Sequence, residues 1–202
     1  MASNPSISPT RFALGLMCVA LLSACQNAED LLHAARFDDL EKLRDCVESG
    51  MSLDQADPAG ETALFHTVGM GSTEAFQLLL DHGANVHHQD WQGNTALHKA
   101  MTYNQPGMAL ELIKRGLEVN VTNKVGGSVL HYAVRGANHD MVVMLLSQGA
   151  DARLVNSEGV TPLEIAKAMI DRDDLLDPMG RSISGEQVKK IISTLTKTIT
   201  EK

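Results

Sequence analysis

The residues best suited to chemistry in this 202-residue chain are its histidines. There are eight, and three of them, His82, His87 and His88, lie in one short segment flanked by Asp81 and Asp90. Histidine and aspartate are both common zinc ligands. However, this spacing does not force three ligands toward one point. We therefore predict no metal site and no cofactor, and keep a metal-dependent hydrolase using these histidines as an alternative.

Motifs that place a nucleophile, a phosphate cradle or a metal are missing from the sequence. It contains no Gly-x-Ser-x-Gly, no Gly-x4-Gly-Lys, no His-Glu-x-x-His and no Cys-x-x-Cys. We therefore predict no catalytic residues and no enzyme. The formal net charge of −8 argues against nucleic acid as the main partner, because phosphate binding needs clustered cations. The hydrophobic content of 44% is enough for a folded core.

The first 24 residues have the layout of a secretory signal. Arg11 is followed by an uninterrupted apolar run over residues 12–22, and the small residues Ser23 and Ala24 close the segment. As a helix the run would span roughly 16 Å, about half of the ~30 Å hydrocarbon core of a bilayer. A permanent anchor is therefore not expected, and residues 1–24 are predicted to be removed.

The end of this segment, Leu22-Ser23-Ala24-Cys25, resembles the lipobox of bacterial lipoproteins. The resemblance implies cleavage before Cys25 and lipidation of that cysteine, with residues 25–27 as the lipidated N-terminus. Gln26, where an aspartate would retain the protein at the inner membrane, implies a lipid-anchored protein on the periplasmic side of the outer membrane. The alternative is an ordinary signal with a cysteine at its end. With Cys18 removed and Cys25 acylated, only Cys46 would remain, so no intramolecular disulfide is expected.

Glycines recur with a period of 33 residues. One column is Gly60, Gly93, Gly126 and Gly159, and a second is Gly50, Gly83, Gly116 and Gly149. The segments after the first column read GETALFHT, GNTALHKA, GGSVLHYA and GVTPLEIA. They resemble the ankyrin signature G-x-T-P-L-H-x-A. The resemblance implies an all-α ankyrin-repeat solenoid of about five 33-residue helix-turn-helix units over residues 28–170, with His98 and His131 in structural roles at the signature histidine.

The same register assigns core positions. Leu64, Leu97, Leu130 and Leu163 are predicted to point into the stack from the first helices. Cys46 falls in the second-helix column with Leu79, Leu112 and Leu145, so we expect it to be a buried hydrophobe rather than a reactive thiol. Stacking of units provides the continuous core that one unit lacks.

The C-terminal part departs from the repeat. Residues 171–184 form an acidic stretch containing Pro178 and Gly180, predicted to be an insertion loop, either an ordinary surface loop or a contact element. Residues 185–202 carry apolar side chains at helical spacing and are predicted to form an amphipathic capping helix.

Partner contacts in ankyrin-like stacks come from the turn tips and first helices, between the signature positions. Columns read at these positions give a predicted contact patch with aromatic, apolar and basic members, because such anchors dominate interface energies. The patch consists of Phe37, Met70, Trp91, Tyr103, Tyr132, Lys99, Lys124 and Arg135.

Together these features predict a non-catalytic, monomeric protein-binding module held in the bacterial periplasm by a lipid. One hypothesis is an immunity protein that neutralises a toxin effector attacking the envelope. The alternative is a scaffold for a resident periplasmic enzyme, for example in oxidative defence, which resembles a role of some bacterial ankyrin proteins.

Overall fold

A computed structural model describes residues 25–170 and 176–201. Within these ranges the chain forms five helix pairs, and β-structure is limited to isolated bridges. The pairs are α1 (Ala28–Arg36) with α2 (Leu40–Glu48), α3 (Ala63–Met70) with α4 (Thr73–Asp81), α5 (Ala96–Thr102) with α6 (Pro106–Lys114), α7 (Val129–Arg135) with α8 (His139–Ser147), and α9 (Pro162–Ile170) with α10 (Gly185–Thr200). The predicted all-α repeat solenoid is confirmed.

A tight turn built on an aspartate or asparagine precedes the first helix of every pair after the first. In the turn before α3, Asp57 Oδ1 accepts hydrogen bonds from the amides of Ala59 (2.8 Å) and Glu61 (3.0 Å). Asp90, Asn123 and Asn156 do the same in the following turns. A short polar side chain that bonds its own backbone is what makes these residues turn formers. The 33-residue period is thus visible as a repeated hydrogen-bond pattern.

Glycine is required in this turn for two reasons. Gly60 has φ of 81°, a left-handed conformation that a side chain disfavours. A Cβ atom at Gly60 would also lie 2.8 Å from the amide nitrogen of Trp91, which belongs to the next turn. That amide bonds the carbonyl of Ala59 at 3.3 Å, and the equivalent bond joins Lys124 N to Gln92 O at 2.9 Å. The glycine column therefore allows successive turns to approach and bond.

The core lies between the helix pairs, as the register predicts. Leu79, Leu112 and Leu145 are fully buried in the second helices, and Cys46 is fully buried in the same column. From the first helices, Leu64, Leu97 and Leu130 are 1% exposed or less, while Leu163 is only partly buried. Each interior surface is therefore shared by adjacent repeats.

The C-terminal part differs from the prediction of a plain loop. Residues 176–182 form a fifth turn of the repeat type, in which Asp177 Oδ1 accepts from the amides of Met179 (2.9 Å) and Arg181 (2.8 Å). Leu176 and Ser182 form the same bridge that Ala56 and Thr62 form in the turn before α3. The 33-residue period does not reveal this turn, because the turn follows the previous one by fewer than 33 residues. Residues 171–175 lie outside the described ranges.

Helix α10 packs against α9 and α8, in the place of a second helix of the last pair. Val188, Ile191 and Leu195 are buried there. Across the described ranges, no helix is both long and apolar enough to cross a membrane. The predicted signal segment, residues 1–24, falls outside those ranges.

Candidate functional site

Large exposed hydrophobic side chains of the described chain lie mostly on turns and at the ends of first helices. Of eight such residues, only Val143 lies on a second helix. The other seven lie on turns or at the ends of first helices, and we call this set the contact face: Phe37, Met70, Trp91, Val125, Val155, Leu176 and Met179. Covering exposed hydrophobic side chains with a partner is favourable, so these residues are candidates for partner contact.

Three members of the predicted patch belong to this face and are more than half exposed. Phe37, Met70 and Trp91 are 63%, 57% and 66% exposed. The Trp91 indole nitrogen donates to the carbonyl of Pro58 at 2.8 Å, and Lys124 Nζ donates to the carbonyl of Trp91, also at 2.8 Å. These bonds tie one turn tip to the next. The indole is thus held in a fixed orientation while its ring faces solvent.

A second group from the predicted patch lines a cleft of about 210 Å³. Lys99, Tyr103 and Tyr132 meet there, and none of them is fully exposed. Lys99 Nζ pairs with Glu61 and lies 5.5 Å from the centre of the Tyr103 ring. These side chains are less exposed than the sequence columns predict, and Lys99 and Tyr132 bond residues of the neighbouring repeat.

Tyr132 is the clearest such bridge. Its hydroxyl donates to Asn94 Oδ1 at 3.0 Å and accepts from Asn123 Nδ2 at 2.9 Å. Burial raises the pKa of the phenol above its ordinary value, so it stays protonated near neutral pH. Removing Tyr132 would therefore loosen two turns as well as any contact with a partner.

Arg135 is exposed at the end of α7 and borders an open, largely apolar groove next to the fifth turn. Four exposed residues of the contact face were not identified from the sequence: Val125, Val155, Leu176 and Met179. Val125 directly follows Lys124 in its turn, so testing every turn position rather than one column would have found it.

His98 and His131 have the structural role that the resemblance implies. His98 Nδ1 lies 3.2 Å from the amide of Thr95, and its Nε2 lies 3.0 Å from the carbonyl of Gly127 in the next turn. His131 makes the equivalent contacts with Ser128 and Val160. Burial lowers the pKa of His98 to about 4 and also lowers that of His131. Both imidazoles are neutral near pH 7, with Nδ1 accepting and Nε2 donating.

The side chains of His82 and His88 bond different backbone carbonyls. His82 Nδ1 bonds Leu78 O at 2.9 Å, and His88 Nε2 bonds Gly60 O at 2.9 Å. Among the described residues, the one group of three side chains close enough to share a metal ion is Asp57, Glu61 and His66. The metal-site alternative therefore has no geometric support at the histidines on which it rested.

The Asp57, Glu61 and His66 group is an ion-pair network. Arg36 Nη2 lies 2.9 Å from Asp57 Oδ2, His66 Nε2 lies 3.2 Å from the same oxygen, and Lys99 pairs with Glu61. Burial and the Arg36 charge lower the pKa of His66. Both carboxylates already have cationic partners, so the network connects three successive repeats rather than offering free ligands.

Cys25 is bonded to Cys46 in a disulfide. The prediction that the folded body contains no disulfide is therefore wrong. That prediction assumed that a lipid occupies Cys25. In the structure the Cα atoms of Cys25 and Cys46 are 4.6 Å apart, because the residues before α1 lie next to α2. Cys46 is buried as its register predicts, but as a half-cystine rather than a thiol.

A search among curated proteins found no match for the chain. The family model described as ankyrin repeats, in three copies, matches residues 31–123 and 110–175. Those residues make up most of the chain and include the first four turns, the glycine columns and nearly all of α1 to α9, whereas the fifth turn and α10 lie beyond them. Ankyrin repeats generally mediate protein–protein interaction and are typically not enzymes. The chain belongs to the ankyrin-repeat family.

Proposed function

We propose that this protein binds another protein through the contact face and performs no catalysis itself. The observation that carries the proposal is the distribution of exposed hydrophobic side chains, seven of eight on the turns and first-helix ends of the described chain. Trp91 is the central candidate, because a large ring held by fixed hydrogen bonds loses little conformational freedom when a partner covers it.

The finer proposal concerns place and role. The N-terminal segment supports export to the bacterial periplasm, and a small binding module in that compartment fits an immunity protein that covers a toxin effector attacking the envelope. The predicted lipid tether, on the periplasmic side of the outer membrane, is the alternative to the Cys25–Cys46 disulfide, because both need the same atom, Cys25 Sγ. The proposed binding role rests on the contact face and does not depend on which of the two is present.

The partner is to be captured from envelope extracts with the full chain as bait, and its affinity then measured with variants. Trp91→Ala is expected to weaken the complex by about 5- to 30-fold, equivalent to about 1–2 kcal/mol, since aromatic anchors carry much of the energy of an interface. Trp91→Phe separates two effects, because it keeps an aromatic ring but removes the bond to Pro58 O. Binding retained in Trp91→Phe and lost in Trp91→Ala identifies ring contact as the cause.

Val143→Ala is the matched control, since Val143 is an exposed hydrophobic residue on a second helix. It is expected to leave the affinity unchanged. Equal weakening by Val143→Ala and Trp91→Ala would move the interface to the second helices and refute the contact face. A second exposed anchor, Met70→Ala, is expected to weaken binding in the same direction as Trp91→Ala.

The immunity role is tested in cells. Cells carrying the wild-type chain should survive the captured effector, and cells carrying the double variant Trp91→Ala, Tyr103→Ala should become sensitive at equal protein abundance. Capture of a resident periplasmic enzyme, with no protection against any effector, would favour the scaffold hypothesis. His88→Ala should leave binding unchanged, whereas the metal-enzyme alternative requires it to remove metal and activity together.

A further inference from the structure

Helix α1 begins at Ala28, three residues after Cys25. Asn27 caps α1 by accepting from the amide of Asp30 at 3.0 Å. The amide of Gln26 donates to Asp30 Oδ2 at 2.9 Å, and Asp30 Oδ1 pairs with Lys42 Nζ on α2 at 2.7 Å. The backbone that follows Cys25 is thereby fixed to both helices of the first pair.

Cys25 is itself part of the hydrophobic core. Its exposure is 8%, that of Cys46 is 0%, and its sulfur lies 3.3 Å from Met51 Sδ. In the next three pairs the Cys46 column is occupied by Leu79, Leu112 and Leu145. Cysteine is smaller than leucine, and a close-packed interior does not tolerate the missing volume. The Cys25 sulfur, bonded to Cys46, occupies the core next to it.

A lipid on the same sulfur is incompatible with this arrangement. A diacylglyceryl thioether has its acyl chains in the bilayer, so Cys25 would have to leave the core, and Cys46 would be left as an unpaired thiol beside a void. One sulfur also cannot hold both bonds. We propose that in the mature, folded protein Cys25 is bonded to Cys46 rather than to a lipid, so that a disulfide closes the first repeat and the chain is not anchored at Cys25.

The bond forms by oxidation of two thiols. One cysteine thiolate attacks a disulfide donor of the oxidising compartment and releases one donor thiol. The second cysteine then attacks the mixed disulfide and releases the other donor thiol. Two electrons and two protons pass to the donor, which is reduced to a dithiol. Disulfides persist in the bacterial periplasm, and the N-terminal segment predicts export to that compartment.

This inference does not depend on which protein the contact face binds. The test uses the full chain, expressed with its own N-terminal segment in a Gram-negative host. The cells are treated with acid before lysis to stop thiol–disulfide exchange. The protein is denatured and treated with a maleimide reagent, with and without prior reduction, and the peptides containing Cys25 and Cys46 are weighed. Membrane and soluble fractions are analysed separately. Cys46→Ala serves as the matched control, because it leaves Cys25 with no disulfide partner.

We expect more than half of the wild-type protein to resist labelling at both cysteines until it is reduced, and then to take two labels. Its Cys25 peptide should carry no lipid mass, and this protein should be in the soluble fraction. Label on Cys46 without reduction, together with a diacylglyceryl mass on the Cys25 peptide in the membrane fraction, would establish the lipoprotein instead. Two free thiols in most of the protein would overturn the proposal as well. In Cys46→Ala, Cys25 is expected to label without reduction.

Discussion

Protonation of His98 should destabilise the fold in mild acid. The imidazole is 1% exposed, accepts from Thr95 at Nδ1 and bonds Gly127 O through Nε2. A proton on Nδ1 would face the Thr95 amide, which is also a donor, so the charged form loses that bond as well as its hydration. Burial therefore lowers the folded-state pKa to about 4, against about 6.5 in the unfolded chain.

The sign follows from proton binding. Between these two pKa values the unfolded state binds more protons than the folded state, so stability increases with pH through that window. The contribution of His98 is fully present above about pH 6.5 and is lost as pH falls toward 4. At about 1.4 kcal/mol per pKa unit the full effect is about 3 kcal/mol, of which about 2 kcal/mol is lost between about pH 7 and pH 4.5. His131 and His66, whose pKa values are also lowered, act in the same direction.

The assay is urea unfolding of wild type and of His98→Ala at both pH values. At neutral pH the substitution should lower the free energy of unfolding by about 1–3 kcal/mol, because it leaves buried polar groups without partners. The loss of stability on acidification should then be about 2 kcal/mol smaller in His98→Ala than in wild type. An identical loss in both proteins would refute the assignment of a buried neutral imidazole at this position.

Three further predictions concern stability. Leu112→Ala should lower the free energy of unfolding by about 2–5 kcal/mol, because Leu112 is fully buried between repeats, and an unchanged melting temperature would contradict the register. Reduction of the Cys25–Cys46 disulfide, which joins residues 21 apart, should lower the stability of the first repeat by about 3 kcal/mol by loop-closure entropy, measured by unfolding with and without reductant. Thr62→Val should raise stability by about 1 kcal/mol, since Thr62 Oγ1 is buried without a partner. Thr95→Val should lower stability by about 1 kcal/mol, since Thr95 Oγ1 contacts His98 at 3.1 Å. Equal changes in stability, with the same sign, in Thr62→Val and Thr95→Val would contradict the difference between the two hydroxyls.

The contrast between Thr62 and Thr95 shows how one residue changes a repeat. Position 98 is histidine, whereas the equivalent position one period earlier is Phe65, which is buried in the core. Phenylalanine cannot accept from the threonine, so Thr62 loses the partner that Thr95 has. The departure from the signature was visible in the sequence, but its consequence required knowledge that Thr62 Oγ1 is inaccessible to water.

The contact face was predictable in part. Phe37, Met70 and Trp91 were found from their columns, because a turn tip or a helix end leaves these side chains in solvent, although Tyr103 in the column of Phe37 is only partly exposed. Lys99 and Tyr132 belong to equally variable positions, but they are bonded to Glu61 and Asn94 of neighbouring turns. Pairing of this kind depends on which side chains happen to face each other, and a column read one residue at a time does not contain that information.

The sequence by itself determined the repeat architecture, because a 33-residue period is carried by local requirements that recur in every unit: a polar turn former, a glycine at positive φ, and leucines at fixed helix positions. Tertiary structure alone decided the features that break the period. The joining of Cys25 to Cys46, the fifth turn at Asp177 and the separation of His82 from His88 each depend on where distant segments meet. Repetition encodes the contacts that every unit shares, whereas a contact made once is fixed only when the whole stack is assembled.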